Sequence, residues 1–407
     1  MPGHHARLAA AALPAVILSI AGFLGAAPDA APPGAPPPGG APGASPADVI
    51  PLPPGPGRAV PGEVMRRIHD EVKTPFKYGV VLKGGSAAEL VDCPSVFRHR
   101  GRWYMMYAAI RDEVGYETFL ARSDDLLHWE KLGKILSFRR EGWDAWQADG
   151  GISLPDWRWE GGTHEPGTHD GKYWLSYIGG ARQGYEPDPL AIGLASTDDP
   201  ARPAEWTRLP ANPVLSTAQP GARPFERNTL YKSTVIRVAS GVPGLGAGDG
   251  GGPGWPFVMF YNGKSAVHAH EAIGMAVSRD MVRWTRLGAD FVVDNAPGKP
   301  AISGDPQIVK IGDVWVMFYF GFRWRPHAFD TFACSYDLVH WTRWDGPNLV
   351  EPGEPFDRTF AHKPWVLKHD GVVYHFYCAV GDEGRVIALA TSKDLRAADE
   401  TRNVAKP

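Results

Sequence analysis

One phrase, Ser-x-Asp-Leu-x-x-Trp, returns along the chain and constrains its fold more than any other feature. It reads Ser123-Asp124-Asp125-Leu126-Leu127-His128-Trp129, then Ser278-Arg279-Asp280-Met281-Val282-Arg283-Trp284, then Ser335-Tyr336-Asp337-Leu338-Val339-His340-Trp341. A looser copy, Ser196-Thr197-Asp198-Asp199, precedes Trp206, and a clipped one, Ser392-Lys393-Asp394-Leu395, has no tryptophan after it. Self-similarity at a roughly even period signals a repeat architecture.

Extending each copy backward gives a four-part unit. In the first, Pro94-Ser95-Val96-Phe97 runs to a turn at Gly101, Trp103-Tyr104-Met105-Met106-Tyr107 follows, and Thr118-Phe119-Leu120-Ala121 meets the Ser-Asp turn, after which Trp129 opens a fourth stretch ending at Leu136. Aromatic and β-branched runs bounded by Gly and Asp turns are strand signals. The second run recurs at Tyr173–Tyr177, Phe257–Tyr261, Trp315–Tyr319 and Tyr374–Tyr377, so five units are expected. Four antiparallel strands per unit make the chain an all-β, five-bladed β-propeller. The last unit lacks its fourth strand, while Phe76–Leu82 stands alone before the first. That N-terminal strand is expected to complete the fifth blade and close the ring, removing open edges.

The rest of the chain divides simply. Residues 1–27 read as an export signal: His4, His5 and Arg7, an apolar run from Leu8 to Phe23, then Gly25-Ala26-Ala27. The run is shorter than the roughly 20 residues of a membrane span, so a secreted or periplasmic protein with no membrane association after cleavage is expected. Residues 28–62, mostly Ala, Pro and Gly, read as a linker, and 63–407 as the propeller. A net charge of −3 over 407 residues offers no footprint for nucleic acid, and three cysteines cannot make a disulfide framework.

Strand alternation sorts the polar residues between the two ends of a propeller. The start of each first strand, the loop between second and third strands, and the connection into the next blade share one face. The Ser-Asp turns lie on the other, where a short carboxylate caps its own turn. Glu165 falls on that far side too. At the axis the innermost strands begin with Asp92, Asp149, Lys232, Asp305, and the pair His362 and Lys363. Burying such groups together costs desolvation that small residues would avoid, and clustered carboxylates push one another's pKa values apart.

The blades, the Asp92-Cys93-Pro94-Ser95 start and the Trp-Tyr-Met-x-Tyr second strand resemble the five-bladed propeller glycoside hydrolases, namely families 43, 32 and 68, and more distantly 117 and 130. The resemblance runs from Phe76 to Leu395. It implies a glycosidase whose axial pocket binds an oligo- or polysaccharide, with Asp92 as base or nucleophile and Asp149, or its rival Asp305, tuning pKa and orienting substrate. Inversion is implied by families 43 and 117. The family's acidic residue from the third blade is absent where Lys232 stands, which leaves Glu271, His362 and Glu226 as candidate acids. Trp143, Trp146, Arg323, Arg325, His327, Arg358, Lys232 and Lys363 are the candidate substrate contacts.

Two alternatives stay open at this point. Lys232, Arg323, Arg325, His362 and Lys363 would suit phosphate, as in the phosphorylases of family 130, and a secreted sugar-binding propeller without catalysis fits the same pattern. No cofactor is expected. His268, His270, Glu271, His327 and His362 form the set that would offer a divalent cation ligands, and no metal is assigned. The sugar, the linkage and the oligomeric state are not specified by the sequence.

Overall fold

The computed structural model describes residues 49–53, 58–86, 88–246, 254–267 and 269–396; the expected export signal and most of the expected linker lie outside the described residues. Before the first blade come β1 (Val49–Ile50), the helix α1 (Gly62–Val72) and β2 (Phe76–Leu82). Blade one is β3 (Glu89–His99), β4 (Arg102–Arg111), β5 (Tyr116–Ser123) and β6 (Glu130–Leu136). Blade two is β7 (Gln147–Ile152), β8 (Tyr173–Gly180), β9 (Leu190–Thr197) and β10 (Thr207–Arg208). Blade three is β11 (Thr229–Arg237), β12 (Phe257–Lys264), β13 (Glu271–Ser278) and β14 (Trp284–Leu287). Blade four is β15 (Ile302–Ile311), β16 (Val314–Phe322), β17 (Ala328–Ser335) and β18 (Thr342–Arg343). Blade five is β19 (Phe360–His369), β20 (Val372–Gly381), β21 (Gly384–Thr391) and β2, which pairs antiparallel with β21, Phe76 opposite Thr391.

The N-terminal strand thus supplies the missing fourth strand. No ladder joins blade five to blade one among the described residues. The two meet instead through side chains: Val91, Val96 and Phe97 of the first blade share one apolar cluster with Trp365, Phe376 and Leu389 of the fifth. Closure is therefore a packing event, driven by burial rather than by strand pairing.

Where it is described, the stretch expected as linker is packed. β1 lies parallel to β14, Val49 opposite Arg286, and the Val60 amide donates to the Thr342 hydroxyl at 2.9 Å. Helix α1 follows, with Val64, Met65, Ile68 and Val72 on one stripe against Val314, Val316 and Phe332 of blade four and Val373 of blade five. Ile50, Leu52 and Val60 interrupt the Pro-rich run and supply the burial that Ala and Pro alone lack. The chain before the first blade is a strap over three blades.

Two local devices recur with the blades. In the Ser-Asp turns, Oδ1 of Asp125 accepts from the amides of Leu127 and His128, Asp280 from Val282 and Arg283, and Asp337 from Val339 and His340, all at 2.8–3.0 Å. The carboxylate holds Leu126, Met281 and Leu338 at φ of 69°, 62° and 68°, fully buried. In blade two it is Asp199, not the expected Asp198, that accepts, from Ala201 at 3.0 Å. The second device ties three elements together. Tyr177, Tyr261, Tyr319 and Tyr377 hold matching places in the second strands, each at most 1% exposed, and their hydroxyls donate to Asp144, Glu226, Asn295 and Asp357. Those acceptors sit just before each blade's first strand and are met from the fourth strand by Arg208 at Asp144, Arg286 at Glu226 and Lys77 at Asp357.

The long connection from β7 to β8, residues 153–172, runs round the base of the axis. The Leu154 amide donates to Val235 O (2.8 Å) and the Trp157 indole to Arg237 O (2.9 Å) on blade three. The Lys310 amide of blade four donates to Trp157 O (2.8 Å), and the Trp159 indole reaches Glu71 on α1 (2.8 Å). His164 then accepts at its carbonyl from Arg98 of blade one (2.9 Å) and donates from Nε2 to Lys368 O of blade five (2.9 Å).

Candidate active site

The first strands are bent where their polar residues lie. Ladder register slips between Asp92 and Ser95, Leu230 and Ser233, Gly304 and Gln307, and His362 and Trp365. Three of these slips fall at prolines that cannot donate to a ladder, and Cys93, Asp305 and Lys363 take φ of 54°, 53° and 63°. Bulges of this kind bend a strand and re-aim its side chains. Blade two reaches the axis without a bulge: Asp149 is followed by Gly150 and Gly151, and a Cβ on Gly151 would lie 3.3 Å from the Ser95 hydroxyl. Here the five blades enclose a narrow axial pocket, lined from every blade by Ser95, Gly151, Lys232, Asp305 and Lys363 among others.

The expected Asp92, Asp149, Asp305, Glu271, Lys363 and His362 are buried, Lys232 is half-buried, and they are near enough to shift one another's ionisation. Asp92 is the most fully bound. Its Oδ2 accepts from the Tyr116 hydroxyl, the Lys363 ammonium and the Arg385 guanidinium, each at 2.9 Å, and Oδ1 from the Cys93 amide at 2.9 Å. Burial opposes its ionisation, but Lys363 and Arg385 outweigh that and hold the carboxyl well below the usual range. A carboxylate that accepts from four donors, two of them cations, is a poor acceptor of a proton, and its contacts are those of an anchor rather than of the expected base or nucleophile.

The other carboxyls are shifted the opposite way. Burial raises Asp149, whose oxygens have no hydrogen-bond partner and whose nearest ammonium, Lys232, stands 3.9 Å away. Asp305 is pushed up to about 6, burial exceeding the pull of Lys363 and Lys232. Glu271 accepts from the Asn262 amide at 2.9 Å and is pushed up to about 7, by burial first, with the charges of Glu186 and Asp305 adding to it. His362 is pushed down to about 3 by burial and Arg385, and its Nδ1 donates to Cys378 O at 3.0 Å. A neutral imidazole with its proton committed to a backbone carbonyl does not serve as the acid at neutral pH, so that expectation is corrected.

Several expected residues lie outside this group. Glu226 belongs to the blade-three tie of tyrosine, acid and arginine; Arg223 and Arg286 hold its pKa down against burial, and it is no proton donor. Trp143 packs on Tyr177 and over Gly179, and Trp146 on Phe138. Arg325 is spent on Gly346 O and Asn348, and the exposed Arg358 pairs with Asp382. Arg323 and His327 are exposed, Arg323 beside the Phe322 ring at 5.0 Å. Aromatic packing and loop contacts account for Trp143, Trp146, Arg325 and Arg358. The histidines do not converge either: His270 pairs with Asp294 at 2.8 Å, His362 faces Cys378, and His268 lies outside the described residues. Among the described residues no group of three or more His, Cys, Asp or Glu side chains could hold a metal ion.

Four residues join the site that the sequence pattern alone does not single out. Glu186, raised by burial, lies 3.5 Å from Lys363. Arg385 and Tyr116 hold Asp92, and Tyr185 packs beside both. All four lie in or beside the loops between second and third strands of blades one, two and five. The alternation rule that places Glu271 would have found them there.

No protein-family model matches the chain. A solved structure of BT0996, described as a complex with RGII, is 44% identical, with a TM-score of 0.76, over 83% of this chain and 96% of that one. Another, described as "Glycoside hydrolase", is 43% identical, with a TM-score of 0.74, over 82% and 96%. A curated relative, an uncharacterized protein of Mycobacterium tuberculosis, is 25% identical over 277 residues, 65% of this chain and 80% of that one. Structures of families 43, 32, 130 and 117 share the fold at 12–16% identity and TM-scores of 0.50–0.53.

Proposed function

The chain belongs to the glycoside hydrolases built on a five-bladed β-propeller, and we propose that it hydrolyses a glycosidic bond in RGII or a closely similar polysaccharide. The substrate class is supported by the relative described in complex with RGII. The observation that carries the mechanism is the unequal pair Glu186 and Glu271. Glu271 is buried and Glu186 half-buried, and burial raises both, but of the two only Glu186 has the Lys363 ammonium at 3.5 Å pulling against that rise, while Glu271 is pushed up to about 7. Two carboxyls whose surroundings separate their proton affinities are what glycoside hydrolysis needs. Glu271, protonated near neutral pH, gives its proton to the leaving oxygen, and Glu186, whose ionised form the Lys363 ammonium favours against the burial that raises it, acts on the opposite face of the sugar. Asp149 and Asp305 line the floor and bind hydroxyls; Asp92 fixes Lys363 and Arg385.

Inversion is the outcome supported by the resemblance to families 43 and 117, and export by the composition of residues 1–27. Proton NMR of the first-formed anomer tests the former, and N-terminal sequencing of the protein recovered outside the cytoplasm tests the latter. The central test is release of reducing sugar from RGII oligosaccharides by wild type and by Glu271→Gln. A sugar phosphate formed in phosphate buffer would replace hydrolysis by phosphorolysis, and binding without release would make the protein a sugar-binding propeller.

A further inference from the structure

Among the described residues only two large aromatic side chains are exposed rather than buried or half-buried, and one of them is Tyr185, at 37%. Phe76, the other exposed ring among the large hydrophobics, is on the outer strand of blade five, whereas Tyr185 stands on the site face one residue before Glu186. An exposed ring held rigidly at the rim of a polar pocket is an unusual use of apolar surface.

The ring is held from behind. The Arg385 guanidinium lies 5.2 Å from its centroid, and the Tyr116 ring packs against it at 5.6 Å and 59°. Both supports are themselves fixed on Asp92 at 2.9 Å. The loop is pinned as well: the Gly184 amide donates to Val114 O at 3.0 Å, and the buried Gln147 amide donates to Gly184 O at 2.8 Å and Arg182 O at 3.2 Å. A ring positioned in advance loses little freedom when a ligand stacks on it.

We propose that Tyr185 is the stacking platform for the sugar on the leaving-group side of the scissile bond. This rests on the hydrolase reading and takes the sugar being released to occupy the axial depth next to Glu186 and Glu271. The unit that meets a ring at the rim is then the one still outside. Its C–H face covers the exposed part of the tyrosine, as apolar faces cover aromatic rings elsewhere.

The test compares wild type, Tyr185→Ala and Tyr185→Phe on oligosaccharides released from RGII by mild acid, with thermal melts confirming that each is folded. For Tyr185→Ala, KM should rise roughly tenfold, the scale of one lost stacking contact. Tyr185→Phe should restore most of that affinity, and inhibition by the released monosaccharide should be the same in all three. An alanine variant with wild-type KM overturns the proposal. A parallel loss of monosaccharide inhibition overturns the leaving-group placement. If wild type releases no sugar, the hydrolase reading fails by itself. Calorimetric titration of the same oligosaccharides then decides the platform: weaker binding by the alanine variant sustains it, and equal or absent binding ends it.

Discussion

Lys363 of blade five donates to Oδ2 of Asp92 in blade one at 2.9 Å, an ion pair across a seam that no strand pairing joins among the described residues. Asp92→Asn leaves Lys363 and Arg385 buried beside a neutral amide. Unbalancing a buried pair costs about 3 kcal/mol, so the melting temperature should fall together with activity. A pure catalytic base would lose activity with an unchanged melt. Because Asp92 is held below its unfolded value, its stabilisation is present above that value, near pH 4, and is lost as pH drops toward the folded one.

Glu271 sets the alkaline limb. As an acid it works while protonated, so kcat/KM should decline as pH rises through about 7. Glu271→Gln should remove that limb and lose on the order of 10² to 10⁴ in rate on natural substrates. Dinitrophenyl glycosides, which leave without a proton, should recover much of the loss. A variant equally poor on both substrates would assign the acid elsewhere.

Glu226 predicts the reverse pattern. It is fully buried between Arg223 and Arg286, far from any role with substrate in this reading. Glu226→Gln should destabilise by about 3 kcal/mol, seen as a lower melting temperature, while the folded fraction keeps its KM. A large change in KM with an unaltered melt would return Glu226 to the candidate acids.

On the far face, Asp280→Ala removes the carboxylate oxygen that accepts from two backbone amides in a turn that holds Met281 at φ 62°. The expected loss is about 1 kcal/mol per site with wild-type kinetics. Measuring urea midpoints for this and the equivalent Asp337→Ala should give matching shifts, since the two turns share one geometry.

Much of this was written in periodicity. A carboxylate that follows a serine at the end of each third strand announces a turn wherever it occurs, and strand alternation then fixes which end of the blade Asp92, Asp149 and Asp305 occupy. What periodicity cannot weigh is competition for a side chain. Glu226 and Glu271 look alike in sequence, yet one is captured by Tyr261, Arg223 and Arg286 and the other by a single amide, and those partners come from distant strands. Glu186 and Arg385 are hidden for a related reason. Glu186 sits in a loop of ordinary polar residues and Arg385 at the start of an otherwise apolar strand, and only the convergence of blades two and five on Asp92 and Lys363 distinguishes them.

The segment 153–172 gives these residues a common dependence. Five short sheets round an axis behave as staves, and staves hold their spacing only while a hoop holds them. Asp92, Asp149, Lys232, Asp305 and Lys363 come from separate blades, so the distances among them are set by whatever fixes the blades' lower ends. Hydrogen bonds from this segment to Val235, Lys310, Lys368 and Arg98 do so from the opposite end of the molecule. Wear on the hoop would therefore be felt first as a blunted pocket, with the sheets themselves still intact.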